Sequence, residues 1–156
     1  MTQNKIADLY RWVDSSTTDE KFPSTAFQIG TDSQGHAVYM GRAYFNNTLS
    51  PVHVVPQRKI AYLPNDGKEH TVEKFQLLCL NHFKWVPSTA GKILPGAVQG
   101  GRNPYGLPLY VAKVSYQESS IVGVIHPLAE YCSFPYQGKQ VTTQNHQALV
   151  SHFYDE

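Results

Sequence analysis

The chain repeats itself at an interval of 71 residues. Shifting the sequence by that interval superimposes turn-forming residues, a tyrosine and a lysine: Gly30 on Gly101, Gly35 on Gly106, Tyr39 on Tyr110, Pro56 on Pro127, Pro64 on Pro135, Gly67 on Gly138 and Lys68 on Lys139. No gap is needed between positions 26 and 79, and 12 of those 54 positions are identical. Because other residues replace glycine and proline poorly, these coincidences outweigh the modest identity. The chain is therefore constrained to fold as two similar units.

The two copies begin at tryptophans and follow each other closely. Trp12 and Trp85 open copies that we place at residues 12–79 and 85–150. The whole chain, residues 1–156, has the length of one compact domain, so we expect the copies to share a core. The matched positions of the tryptophans indicate a packing role.

Short apolar runs bounded by turns predict an all-β fold. Each copy contains four such runs, rich in strand-favouring residues: 36–45, 51–56, 59–64 and 74–79 in the first, and 107–116, 121–127, 130–135 and 145–150 in the second. Ten prolines, 11 glycines and 10 tyrosines are typical of that class. The only helix we expect is a turn or two near residues 6–10.

The charge balance and the polar start of the chain narrow the classes of partner. The chain has 13 Lys and Arg against 12 Asp and Glu. The net charge of +1 excludes a strongly basic surface that would attract nucleic acid or an anionic membrane. No apolar run approaches a membrane span, and residues 1–9 are too polar for a secretory signal peptide. We therefore expect a cytoplasmic protein without nucleic-acid partners or membrane insertion. Unconventional secretion or association with vesicles stays open.

The sequence contains no recognisable catalytic or metal-binding pattern. Its seven histidines lack the spacing of zinc ligands, and neither a G-x-S-x-G nucleophile motif nor a G-x-G-x-x-G nucleotide motif occurs. Cys79 and Cys132 occupy unmatched positions in the two copies, so we expect two buried, reduced thiols. These observations predict a binding protein that is not an enzyme and uses no cofactor or metal.

Motifs spread over residues 12–150 carry a family resemblance. The second copy contains W-V-P at 85–87, P-G-A-V-Q-G-G at 95–101 and G-L-P-L-Y-V-A-K at 106–113. A later turn reads N-D-G-K-E-H at 65–70 and Y-Q-G-K at 136–139. In combination these elements resemble the DM9-repeat family, which includes natterin-like proteins.

The resemblance implies both a fold and a function. The fold is a pseudo-two-fold, β-sandwich-like all-β unit in which the two repeats exchange strands and share one core, often paired as a homodimer. The function is calcium-independent binding of mannose-type glycans in innate recognition of microbial surface sugars. A second function stays open: an intracellular scaffold, or a stress- or infection-response protein, that keeps the DM9 fold with degenerate sugar sites.

The same resemblance points to four candidate carbohydrate-binding positions. In sugar-binding members the contacts come from an acidic residue and a lysine 21 positions later, the interval that separates Asp32 from His53 here. The matching positions of the second copy are Asn103 and Val124. Neither copy keeps the lysine, and only the first keeps the acid.

Each candidate also has a purely structural interpretation. Asp32 could accept hydrogen bonds from sugar hydroxyls or simply open the turn before Gly35, as Asn103 could in the second copy. His53 could donate to a hydroxyl, with a charge that depends on pH, or be a half-exposed strand residue. Val124 has no hydrogen-bonding side chain. We therefore expect two pockets of similar shape and different chemistry, of which the first is the better sugar site.

Overall fold

Fourteen β-strands and one 3₁₀ helix form the regular structure of residues 10–19, 21–80, 83–89 and 92–151, the part of the chain that the computed structural model describes. The first copy supplies β1 (Arg11–Ser16), β2 (Gln28–Thr31), β3 (Ala37–Phe45), β4 (Thr48–Val55), β5 (Ile60–Asn65), β6 (Lys68–Thr71) and β7 (Lys74–Cys79). The second supplies β8 (Phe83–Thr89), β9 (Gln99–Arg102), β10 (Pro108–Tyr116), β11 (Ser119–His126), β12 (Tyr131–Tyr136), β13 (Lys139–Thr143) and β14 (Asn145–Ser151). The 3₁₀ helix, Pro56–Arg58, joins β4 to β5. Within these ranges no helix is long and apolar enough to cross a bilayer.

The order of strands in the sheet reads the same from both ends once the copies are matched. It runs β1-β7-β3-β4-β5-β6-β13-β12-β11-β10-β14-β8, with β2 beside β3 and β9 beside β10. At its centre Lys68 of β6 pairs with Lys139 of β13, which is the same position in the two copies. The pseudo-two-fold axis therefore passes between these two lysines.

A close approach between the copies explains one pair of matched glycines. Strand β9 pairs with β10 and also, through Arg102 and Leu49, with β4 of the first copy. A Cβ at Gly101 would collide with the carbonyl oxygen of Leu49. Only a residue without a side chain allows the strand to lie there. The strand exchange expected from the family resemblance is confirmed.

One apolar core is built from both copies. Its buried members from the first copy are Phe27, Ile29, Val38, Met40, Val55 and Leu78, and those from the second are Phe83, Val98, Val111, Val122 and Leu149. Two further clusters belong to one copy each and flank it. Strands β3 and β10 have identical alternation of buried and exposed positions. The shared core confirms the expectation drawn from chain length.

All eight predicted strands are present, and the strands that were not predicted have simple causes. The four runs of each copy correspond to β3, β4, β5 and β7 and to their counterparts β10, β11, β12 and β14. The pattern missed β1 and β8, which are half-exposed and carry polar residues, the short β2 and β9, and β6 and β13, which follow the Gly-Lys turn directly. Of the predicted helix at 6–10, residues 6–9 lie outside the described residues. Cys79 and Cys132 are both buried, free thiols.

The two tryptophans pack against the shared core, which confirms their predicted role. Each ring also faces a cation from a matched position of the sheet. The guanidinium carbon of Arg42 lies 4.4 Å from the ring centroid of Trp12, and Nζ of Lys113 lies 5.0 Å from that of Trp85. These cation–π contacts explain why both copies have a basic residue at this matched position, Arg42 in the first and Lys113 in the second.

Candidate functional site

Two clefts related by the pseudo-two-fold axis contain the four predicted site residues. The first cleft, of about 300 Å³, contains Asp32 and His53. The second cleft, of about 380 Å³, contains Asn103 and Val124. Each cleft is composite, because strands of the other copy complete it. In the first cleft the second copy contributes Ser119, Ile121, Pro135, Tyr136 and Gln137.

Asp32 is the organiser of a turn at the edge of the first cleft. Its Oδ1 accepts hydrogen bonds from the backbone N–H groups of Gln34 and His36, both at 2.9 Å, and its Oδ2 lies 3.2 Å from Nδ1 of His36. Burial acts to raise the pKa of Asp32, but these hydrogen bonds outweigh it and lower the pKa. Asp32 therefore stays ionised, and the turn role predicted as the alternative is real. A carboxylate has about four acceptor positions, so Oδ2 keeps one for a further donor.

His53 is buried rather than half-exposed, and it connects the two copies. Its Nδ1 accepts a hydrogen bond from the backbone N–H of Val122, at 3.1 Å. Burial lowers the pKa of His53 to about 4. The pH-dependent charge expected for His53 is therefore confined to acid conditions, and the ring is uncharged at neutral pH. Since Nδ1 accepts, the neutral ring carries its hydrogen on Nε2 and donates from that atom.

Three further polar residues of the first copy line the first cleft and were missed from the sequence. Arg58 ends the 3₁₀ helix, Tyr62 lies opposite His53 on β5, and Glu69 lies on β6. The pKa of Glu69 is raised, because burial outweighs the lowering effects of a hydrogen bond from the Gly138 backbone and of the nearby charge of Arg58. Burial likewise raises the pKa of Tyr62. With Tyr136 of the second copy, the first cleft thus combines two carboxyl groups, one guanidinium group, a neutral imidazole and two phenols.

A comparison of the copies could have revealed these residues. The matched pairs are Asp32 and Asn103, His53 and Val124, Arg58 and Ala129, Tyr62 and Ser133, and Glu69 and Gln140. Every charged member stands in the first copy. Since the second copy folds without these charges, the fold does not require them, and this asymmetry is a sequence signal for a site.

The second cleft keeps the architecture of the first without its charges. Asn103 Oδ1 accepts hydrogen bonds from the backbone N–H groups of Tyr105 and Leu107, at 2.9 and 3.0 Å, which reproduces the Asp32 turn. Nε2 of His126 lies 2.9 Å from Oγ of Ser133, and burial lowers the pKa of His126. Among the described residues that line this cleft, Asp66 carries the only formal charge.

A larger groove on the outer face of β1, β3 and β7 contains none of the predicted residues. It measures about 580 Å³. Nε of Arg42 donates to Oε1 of Gln76 at 2.8 Å, and Nε2 of Gln76 donates to Oδ1 of Asp14 at 3.1 Å. These two hydrogen bonds tie β1, β7 and β3 together across the groove.

Comparison with known proteins agrees with the duplicated architecture. The DM9 repeat family matches residues 32–143, which is more than half of the chain. Among solved structures, the nematode sperm cell motility protein MFP2B is similar, with a TM-score of 0.64 and 12% identity over 92% of this chain and 47% of that one. This chain spans about half the length of that protein, and the likeness concerns the fold. No curated protein matches the sequence.

The family match includes the turns of Asp32 and Asn103, the exchanged strand β9 and the central pairing of β6 with β13. These are the features that make the two copies one closed unit. On this evidence of sequence and architecture together, the chain belongs to the DM9-repeat family.

Proposed function

We propose that this protein binds carbohydrates of the mannose type through the first cleft, without calcium and without catalysing a reaction. One observation carries the proposal. Asp32, Arg58 and Glu69 converge with His53 in a single composite cleft that also contains the rings of Tyr62 and Tyr136.

The polar groups of the first cleft suit neighbouring hydroxyls of a neutral sugar. Oδ2 of Asp32 has a remaining acceptor position, and a charged acceptor forms stronger hydrogen bonds than a neutral one. Nε2 of His53 and the guanidinium of Arg58 are donors. A hydroxyl group can donate to one of these residues and accept from another. Because the protein supplies all of these donors and acceptors, the proposal needs no bound calcium.

The aromatic residues suit the apolar face of a pyranose ring. Tyr62 and Tyr136 are both half-buried and line the cleft from different copies. A tyrosine ring can pack against the C–H groups of a sugar while its hydroxyl keeps a polar partner. A site that combines such rings with a few fixed polar groups is the usual form of a small-molecule pocket.

Arg58 takes the place of the lysine that sugar-binding family members carry at the position of His53. His53 is neutral, so the cation of the cleft comes from the end of the 3₁₀ helix, five residues later along the chain. The second copy has Ala129 at that position and lacks the cation altogether. This difference favours the first cleft over the second as the sugar site.

Calorimetry with methyl α-mannoside, with and without a chelator, tests the proposal after a glycan array has identified the preferred sugars. We expect binding that survives the chelator. Arg58→Ala should weaken it by about one to two decades, the effect of losing a hydrogen bond to a charged group. Lys59→Ala is the matched control, because it removes a neighbouring exposed cation that does not line the first cleft.

Two outcomes would contradict the proposal. One is the absence of any glycan signal at millimolar sugar with folded protein, which would favour the scaffold interpretation. The other is mannoside binding that Arg58→Ala leaves intact. If the protein also forms the homodimer that we expect for the family, two first clefts per particle would strengthen attachment to microbial surface glycans through avidity.

A further inference from the structure

We infer that the second cleft and an adjacent apolar groove form one binding site for an uncharged amphiphile, a molecule that joins a hydroxyl-bearing head group to an aliphatic or aryl tail. The inference is independent of the proposed function, because it concerns the other copy and different residues. It rests on the lining residues that a polar and an apolar cavity share, and on residues that the first copy lacks.

The second cleft and the groove are neighbours with shared walls. The groove measures about 410 Å³ and is lined by apolar side chains that include Ile93, Leu107, Pro108 and Leu128. Asn103, Leu109 and His126 line both cavities. Both volumes are in the range of small-molecule sites. A ligand could therefore place a polar part in the cleft and an apolar part in the groove at the same time.

The apolar rim of this groove is a property of the second copy and not of the fold. Leu107 and Leu128 have exposed fractions of 42% and 80%. The matched positions of the first copy are His36 and Gln57. Since the first copy folds with polar residues there, packing does not require apolar ones in the second. Exposed apolar side chains grouped at a cavity are a feature of binding sites.

The polar end of the site selects against charged head groups. None of its described lining residues is Lys or Arg, and the position of Arg58 is occupied by Ala129. Asp66 would repel a carboxylate or a phosphate. The amide of Asn103 and the hydroxyl of Tyr131 remain as neutral partners for hydroxyl groups. These features fit an alkyl or aryl glycoside better than a fatty acid or a phospholipid.

Chemical-shift titration of the full chain with octyl β-glucoside, kept below its critical micelle concentration, and with methyl β-glucoside tests the inference. The amides of Asn103, Leu107 and Leu128 report on the proposed site, and that of Asp32 reports on the first cleft. We expect the octyl glycoside to bind the proposed site about tenfold more tightly or better, as burial of several methylene groups implies. Octanoate should bind more weakly than the octyl glycoside.

A double variant supplies the specificity test. Leu107→His with Leu128→Gln installs the residues of the first copy at two exposed positions, and it should abolish the preference for the octyl chain. Tyr44→Ser is the matched control. It removes an exposed aromatic residue (76% exposed) in the larger groove, installs the residue of the matched position Ser115, and should leave the preference intact.

The inference is overturned if the two glycosides bind equally, if the preference survives the double variant, or if octanoate binds as tightly as the octyl glycoside. It is also overturned if the octyl glycoside does not bind and the protein is instead a dimer that the double variant dissociates. A second copy of the chain would then cover the apolar rim. A separate titration with methyl α-mannoside that leaves the Asp32 amide unshifted would refute the proposed function alone, because different amide resonances report on the two clefts.

Discussion

His53 of the first copy accepts a hydrogen bond from the backbone N–H of Val122 in the second copy. The reverse arrangement does not exist, because the matched positions are Val124, which has no acceptor, and Pro51, which has no N–H. These two differences between the copies, His53 against Val124 and Val122 against Pro51, make the two halves of a symmetric fold chemically different at their interface. It also holds the His53 ring in one tautomer at the first cleft.

Removal of the His53 acceptor should destabilise the protein. His53→Ala leaves the N–H of Val122 buried without a partner, which costs about 1–3 kcal/mol, in addition to the loss of packing. His53→Asn should lose less, because the Asn side-chain oxygen can take the place of Nδ1. Urea unfolding followed by fluorescence gives the two free energies. Equal losses in the two variants would show that this hydrogen bond contributes nothing.

Stability should fall as the pH falls from about 6.5 towards 4. Burial lowers the pKa of His53, His126 and His146 in the folded protein, and that of His53 falls from 6.5 to about 4. In this range the unfolded chain binds more protons than the folded protein, so acid favours unfolding. His53 alone accounts for a loss of up to about 3 kcal/mol at the acid end. Urea unfolding at several pH values should show this slope, and a flat profile would contradict it.

His146→Phe should stabilise the protein. Both ring nitrogens of His146 are buried without a hydrogen-bond partner among the described residues, and the matched residue of the first copy is Phe75, a member of an apolar cluster. Replacing an unsatisfied polar ring with an apolar ring of similar shape should add about 1–2 kcal/mol at pH 7 and reduce the loss in acid. The reciprocal Phe75→His should destabilise. Thermal unfolding of both variants decides the prediction, and a lower Tm for His146→Phe would refute it.

Gly101→Ala should prevent the strand exchange. Its Cβ would collide with the backbone of Leu49, which cannot move without displacing β4. We expect a loss of about 4 kcal/mol or more, or failure to fold. Gly106→Ala is the control: its φ of +85° strains an alanine, but nothing lies within 4 Å of the added Cβ, so about 1 kcal/mol should be lost. Similar losses in both variants, measured by urea unfolding, would argue against the collision.

Asp32→Asn should weaken sugar binding without disturbing the turn. Asn103 already shows that an amide accepts the same two backbone hydrogen bonds. The variant therefore keeps the turn but removes the charge and replaces the Oδ2 acceptor with an N–H donor, so affinity should fall by about one to two decades. The reciprocal Asn103→Asp should leave mannoside binding at the first cleft unchanged. Calorimetry should give at most one mannoside per chain, and two equal sites would contradict the assignment.

The duplication, the strand class and the turns were readable from the sequence alone. Residues with special backbone roles, such as Gly101 and Pro64, are identical in the two copies although most other side chains differ. Alternation of apolar residues within β3 and β10 is a local pattern, so it can be recognised without knowing what packs against it. Polar strands such as β1 lack that pattern, and the sequence did not reveal them.

Only the tertiary structure decided what the clefts contain. His53 and Val122 are 69 positions apart, and Tyr136 reaches the first cleft from the other copy. Local periodicity carries no information about such pairs, because they depend on how β4 and β11 meet after the strands exchange. The depth of burial, which leaves His53 neutral and gives Arg58 the role of cation, is likewise a property of the packed chain. The sequence supplied the residue types, and their protonation and partners followed from the fold.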